Sequence, residues 1–311
     1  MGGILASWYE DVRRGEPILI PIKAADANGT INGFINGRHA MKSILLHIDH
    51  DSAMKARLQV ALDIARATNG HITCLQAVSY EVFAPGDIYG SAIAAAMPVI
   101  KENAEKLRSQ IERELEHEGV PWDWRFVYGI APNRLLEASP LADLVIVGPV
   151  EAGESGRGPS ALVGDLVLKA SVPVLVVPGD TASLDVSAPM LVAWNGSAEA
   201  AHALRAAVPL LACSCKVTLV SIAEDSDKER FDFPATEGAR YLSRHGIGCD
   251  MVEIPRGEAK IADTLASAAQ LRECSLMVMG AYGQSRLAEL IMGGVTRRIL
   301  SDPPLPILLA H

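Results

Sequence analysis

The stretch Leu276-Met-Val-Met-Gly-Ala-Tyr-Gly283 begins as an apolar run and passes directly into glycines. Further on, Gly293-Gly-Val-Thr296 opens an amphipathic segment that reaches Leu300. This order predicts a buried strand, a glycine loop and the N-terminus of a helix, which is where α/β folds bind phosphate groups. Glycine lets the backbone approach a ligand closely, and the first amides of a helix have no partner within that helix.

The loop differs from the two most familiar phosphate-binding motifs. It is not a Gly-x4-Gly-Lys-Ser/Thr loop, nor the Gly-x-Gly-x-x-Gly fingerprint of dinucleotide-binding folds. Its spacing is Gly280-x2-Gly283-x9-Gly293, with Thr296 three residues later. A second interpretation remains open, in which these glycines serve a tight turn and a close crossing of helix and sheet.

The chain contains the same unit twice. In each copy an apolar strand leads to a polar residue, Asp49 or Asn195, and then to a Ser-Ala pair that opens a helix. Three further pairs of segments match: 71–77 with 216–222, 143–148 with 275–280, and 172–177 with 305–310. A period of about 140 residues indicates a duplicated domain, since it is too long for a solenoid repeat.

Continuous apolar strands alternate with helical patterns within each copy. Strands of this kind are buried on both faces, as in a parallel sheet that helices cover. We therefore predict two tandem doubly wound, Rossmann-like α/β domains, each with a mainly five-stranded parallel sheet, at 41–180 and 188–311. Helices are expected at Ala53–Thr68 and Pro98–His117, among others. Residues 1–40 have no counterpart in the second copy and are a leader or extension of uncertain origin.

Composition limits the possible partners and compartment. The 311 residues have a net charge of −9, so duplex nucleic acid and anionic membrane surfaces are unfavourable partners. The sequence shows no apolar run long enough to span a bilayer and no export signal. The 5 cysteines are an odd number in scattered positions, which favours reduced thiols and a cytoplasmic location.

The late glycine loop, the two polar ends of the first strands and the apolar final strands resemble a tandem universal stress protein over 41–311. The resemblance implies binding of ATP or AMP, with Mg²⁺ as an optional bridge between phosphates. It places Asn195, where many members have Asp, near the ribose and base, together with its neighbours Ala193 and Trp194. It also places an apolar contact to adenine at Ile222. The loop and phosphate positions that it implies are Met279, Gly280, Gly283, Gly293, Gly294, Val295 and Thr296.

The first copy keeps Asp49 but departs from the loop pattern. Pro149 follows Gly148, two glutamates come next, and Ser160-Ala161 stands where the second copy has Gly293-Gly294. Carboxylates would repel phosphate, so we expect the nucleotide in the second copy. Glycines at 153, 156 and 158 beside Arg157 leave another mode of anion binding open.

These features predict a nucleotide-binding or regulatory module that acts on an unknown protein partner, with at most weak ATPase activity. Two alternatives stay open: a nucleotide-free protein-interaction member, and an enzyme of the nucleotide α-hydrolase type. The two copies are expected to pair through the final strands Val172–Val177 and Leu305–Ala310, as in a dimer within one chain, and a homodimer is a further option. Trp194 could stack on a base or pack in the core, and core packing is the expected use. His47 and Asp49 suggest a metal site, but His50 would point the opposite way, so none is predicted.

Overall fold

The computed structural model describes residues 41–79, 91–150, 160–223, 234–281 and 294–311, with the side chains of 91–95 left aside. All of them belong to one compact unit, Gly37–His311. Within this part of the chain the strands form one sheet of ten. The strands are β1 (Ser43–Ile48), β2 (His71–Val78), β3 (Trp122–Tyr128), β4 (Leu144–Val147), β5 (Val174–Val176), β6 (Met190–Ala193), β7 (Val217–Ala223), β8 (Cys249–Pro255), β9 (Leu276–Gly280) and β10 (Ile307–Ala310).

The strand order is β3-β2-β1-β4-β5-β10-β9-β6-β7-β8. Each half is therefore a five-stranded parallel sheet with the same internal order, and the apolar strands follow the predicted repeat. The halves join where β5 and β10 pair antiparallel, with Leu175 opposite Leu308. This is the pairing of final strands that the sequence predicts. It makes one continuous sheet, so the last strand of neither half is left as an edge.

Helices cover both faces of the sheet. They are α1 (Met54–Thr68), α2 (Ser91–Leu115), α3 (Ala131–Ala138), α4 (Ala161–Lys169), α5 (Ala198–Leu211), α6 (Ala235–Arg244), α7 (Ile261–Leu271) and α8 (Gly294–Ser301). Residues of α1, α2, α5 and α6 share one core cluster with one face of the sheet. Residues of α3, α4, α7 and α8 share the second cluster with the other face. Since successive strand residues point to opposite faces, both faces of each central strand are buried.

The helix predicted at Ala53–Thr68 is confirmed as α1 to within one residue, and the start predicted for the second helix was wrong. The second helix begins at Ser91 rather than at Pro98, which lies inside it. Proline fits the first turn of a helix because it lacks the amide hydrogen that would be unpaired there. The helix nevertheless continues through Pro98 with one backbone hydrogen bond fewer. The end of α1 is as predicted, since Asn69 takes a left-handed conformation with φ 49°.

Candidate functional site

The carboxyl ends of β6, β7 and β9 lie at one edge of the second half, because neighbouring parallel strands end on the same side. Ala193, Ile222 and Met279 stand at these three ends and all pack in the core cluster of α7 and α8. Val295, in the first turn of α8, belongs to the same cluster. The structure therefore brings four of the predicted ligand contacts to one side of the sheet. All four side chains are apolar, which suits contact with the flat face of a base.

Trp194 faces the opposite side of the sheet. It is only 5% exposed and packs in the cluster of α5 and α6, where a Cβ at Gly238 would lie 3.3 Å from its ring. Its backbone amide donates to the carbonyl of Val220 and extends the pairing of β6 with β7. The indole is thus a core side chain, which is the expected use, and Ala193 is the neighbour that faces the apolar side.

Gly280 is required by packing whether or not a ligand binds. A Cβ at this position would lie 2.5 Å from the backbone nitrogen of Ala200 and 2.6 Å from the carbonyl carbon of Glu199. Real Cβ atoms do not come this close to backbone atoms, so only glycine lets the first turn of α5 rest on the end of β9. The alternative interpretation of the loop, a close crossing of helix and sheet, holds for this glycine.

Asn195 forms the turn that leads into α5. It is exposed, and its side-chain oxygen accepts the amide hydrogen of Ser197 at 3.1 Å. Gly196 supplies the positive φ of 73° that the turn needs, and the Ser197 hydroxyl caps the helix by accepting from the amide of Ala200 at 3.2 Å. Because the oxygen of Asn195 is engaged in the turn, its amide NH₂, a donor, is the group suited to a ribose hydroxyl.

The phosphate end of the predicted site is described only from Gly294 onward, and Gly283 and Gly293 lie outside the described residues. Gly294 is exposed and begins α8, and a Cβ added to it would meet no atom within 4 Å. Thr296 is 5% exposed and faces the interior. An anion at this helix start would therefore meet backbone amides more readily than the Thr296 hydroxyl.

Ala281, the residue after Gly280, has both its backbone amide and its backbone carbonyl in contact with other parts of the protein. The amide of Ala281 donates to the carbonyl of Ala310 at 3.0 Å, and its carbonyl lies 3.1 Å from Nδ1 of His311. His202 of α5 lies 3.3 Å from the carbonyl of His311 through its own Nδ1. The start of the glycine loop is thus fixed to β10 and α5, and the Ala281 amide is already used within the protein.

The matching edge of the first half contains a buried ion pair that was not predicted from the sequence. Arg57 of α1 and Asp51 have side chains that are 0% and 2% exposed. Nη1 of Arg57 donates to Oδ1 of Asp51 at 2.6 Å and lies 2.5 Å from Oδ2, while Nε donates to the carbonyl of His47 at 2.7 Å. A Cβ at Gly148, at the end of β4, would lie 2.9 Å from the same Nη1. The guanidinium therefore fills the space between the ends of β1 and β4.

The environment of this pair disfavours a second charge. Burial, more than any other cause, lowers the pKa of Arg57, and the neighbouring Asp51 opposes that shift. Burial, with a smaller contribution from Arg57, lowers the pKa of His47 to about 3. His47 is therefore neutral at pH 7, and the pair is the charged element at the centre of this edge. A ligand that entered here would have to displace Arg57 and leave Asp51 without its partner.

Relatives of known structure share this fold. Residues 188–311 match the model of the universal stress protein family. A universal stress protein from Archaeoglobus fulgidus DSM 4304 is 16% identical with a TM-score of 0.67, and the match covers 86% of this chain and 97% of that chain. A putative universal stress protein from Pseudomonas aeruginosa UCBPP-PA14 is 19% identical with a TM-score of 0.53, over 88% of this chain and 94% of that chain. At these identities the likeness concerns the fold.

No curated protein matches the chain. In the described part of the chain, no helix combines the length and the apolar character that crossing a bilayer requires. The second half, residues 188–311, thus matches the model of the universal stress protein family, and the first half repeats the same α/β strand order.

Proposed function

We propose that the second half binds an adenine nucleotide, ATP or AMP, at the carboxyl edge of its sheet, as a stress-response or regulatory module. The observation that supports this most is the convergence of Ala193, Ile222, Met279 and Val295 beside an open helix start at Gly294. The apolar side chains suit a base, and the first amides of α8 suit a phosphate. Asn195 lies at the end of β6 on the same edge, where its NH₂ can donate to a ribose hydroxyl.

The role of a module, rather than of a committed enzyme, fits the same residues. Among the described residues, the predicted ligand contacts are apolar side chains, an amide and backbone donors, which bind and orient a nucleotide but do not abstract a proton. Binding would change the charge and shape of this edge and so alter the surface that a protein partner meets. We place this role in the cytoplasm, in line with 5 free cysteines.

The direct test is calorimetric titration of the full chain with ATP, ADP and AMP, compared with the variant Gly294→Asp. A side chain at 294 meets nothing within 4 Å, so the variant should fold as the wild type does. Its carboxylate would stand at the helix start in place of phosphate, and we expect a loss of affinity of at least about a hundredfold.

The matched control is Gly248→Asp, because a Cβ at this glycine also meets open space and the position does not need a positive φ. It adds the same charge on the connection between α6 and β8, at the opposite edge of the sheet. Equal binding by both variants would contradict the proposed site. Absence of heat with every nucleotide at millimolar concentration would favour the nucleotide-free alternative. Formation of AMP and pyrophosphate from ATP would favour the α-hydrolase alternative.

A further inference from the structure

A groove runs between α7 and α8 on the outer surface of the second half. It encloses a cavity of about 760 Å³, and its lining includes Gly294 and Val295 of the proposed nucleotide site. The groove therefore adjoins the start of α8, where a phosphate is predicted to bind.

Cationic side chains surround the end of the groove at the carboxyl edge of the sheet. Arg256 follows β8, Lys260 immediately precedes α7, and Arg297 lies in the first turns of α8; all three are exposed and line the cavity. In a chain with a net charge of −9, such a concentration of positive charge is a local exception. A surface of this kind attracts and holds anions with several negative groups.

The described lining of the groove has four cationic residues and two acidic ones. Asp263 receives two hydrogen bonds from Arg298, at 2.8 and 2.9 Å, and Arg298, with a smaller contribution from Lys260, lowers the pKa of its carboxyl group. Asp302 follows the last residue of α8, at the opposite end of the groove. The bidentate bridge also joins the two helices, so the spacing of the groove walls is fixed by the protein itself.

We infer that this groove binds a chain of phosphate groups, with Arg256, Lys260 and Arg297 as its ligands. The same chemistry has two sources: the tail of a nucleoside triphosphate seated at Gly294, or a free inorganic oligophosphate. The first source depends on the proposed function, and the second does not. In the first case Arg256 and Lys260 make the site selective for ATP over AMP, because the terminal phosphates alone would reach them.

The experiment uses sodium tripolyphosphate, ATP and AMP as probes, titrated into the full chain at low ionic strength. The test variant removes two charges, Arg256→Gln with Lys260→Gln. The control removes two charges elsewhere, Lys216→Gln with Arg205→Gln, which lie before β7 and on α5. These four side chains are exposed, so neither variant should disturb folding.

We expect the test variant to bind tripolyphosphate at least about tenfold more weakly than the control does, since each charge-assisted contact is worth about that factor. If the nucleotide tail is the source, ATP affinity falls by a similar factor while AMP affinity stays unchanged. Binding of tripolyphosphate without binding of ATP or AMP would support the free oligophosphate, and would reject the proposed nucleotide site alone. Equal affinities of the two variants for both tripolyphosphate and ATP, or no binding of either by the wild type, would overturn the inference.

Discussion

The two halves of the sheet have the same strand order but differ at the carboxyl edge, between their first and fourth strands. In the first half, Arg57 reaches this edge from α1 and is enclosed with Asp51. In the second half, His202 stands at the corresponding position of α5, five residues after the matching serine, and is exposed. In the first half the Arg57 side chain therefore occupies the space at this edge. In the second half apolar side chains lie there, next to the exposed start of α8 at Gly294. The two copies therefore share a fold but differ in the residues at this edge.

The largest expected effect concerns the buried pair. Arg57→Met leaves the Asp51 carboxylate buried without a neutralising cation, and we expect the free energy of unfolding to fall by about 3–5 kcal/mol. His202→Met changes an exposed residue at the matching position and should alter stability by less than about 0.5 kcal/mol. Urea denaturation of the two variants measures the difference. The double variant Arg57→Met with Asp51→Asn should recover part of the loss, and equal losses at Arg57 and His202 would contradict the contrast.

A smaller effect is expected for the two glycines of the second half that differ in their surroundings. Gly280→Ala forces a methyl group against the backbone of Glu199 and Ala200, at a cost of about 1–3 kcal/mol. Gly294→Ala meets nothing within 4 Å and should leave the unfolding free energy nearly unchanged. Thermal or urea unfolding of both variants checks this. A destabilisation at Gly294 as large as that at Gly280 would show that the packing of α5 on β9 is not the reason for glycine.

The pH dependence of stability should also come from the first half. The pKa of His47 is about 3 in the folded chain and 6.5 in the reference state, so the unfolded chain binds the additional proton between these values. The contribution of neutral His47 to the free energy of unfolding is therefore greatest above about pH 6.5. It decreases as the pH falls towards 3, by at most about 1.4 kcal/mol per pH unit. Ala193 occupies the matching position of the second half and cannot titrate.

Urea denaturation at pH 7 and pH 5 tests this assignment with the variant His47→Leu. Between pH 7 and pH 5 the free energy of unfolding of the variant should fall by about 2 kcal/mol less than that of the wild type. The reason is that residue 47 of the variant cannot gain a proton on unfolding. The matched control is His71→Leu, which changes a histidine about half exposed at the start of β2. If His71→Leu flattened the profile as much as His47→Leu, the burial of His47 would not be the cause.

The smallest effect separates the two helix starts at this edge. Ser197 caps α5 with its hydroxyl, so Ser197→Ala should cost about 1 kcal/mol. Ser52, its counterpart, does not cap α1, since Asp51 accepts the amide hydrogen of Ala53 at 2.7 Å instead. Ser52→Ala should therefore have almost no effect on urea unfolding. Equal losses would mean that the two helices begin in the same way.

The strands could be predicted from the sequence because their signal is local. The continuous apolar run of β4 is an example, and the match of 143–148 with 275–280 then implies β9 in the second half. The pairing of β5 with β10 follows from the resemblance to a dimeric family. The burial of the central strands on both faces follows from their lack of polar alternation, whereas the edge strands β3 and β8 alternate and are partly exposed.

The site was predictable only in part, because it depends on which side of the sheet a side chain faces and on what fills the space. Trp194 and Ala193 are neighbours in sequence and lie on opposite faces, so a motif that names both cannot assign both to one ligand. Arg57 was overlooked as a charged residue on a helix, although it stands four residues from Ala53 and from Ala61 on the buried face of α1. That spacing, with Asp51 close before the helix, was the available signal.

The central claim is that only the second half binds a nucleotide, because Arg57 and Asp51 occupy the corresponding space in the first half. Calorimetric titration of the full chain with ATP tests it through the stoichiometry. We predict one site per chain, lost in Gly294→Asp and retained in Gly248→Asp. Two sites per chain, or a single site that survives Gly294→Asp, would contradict the account.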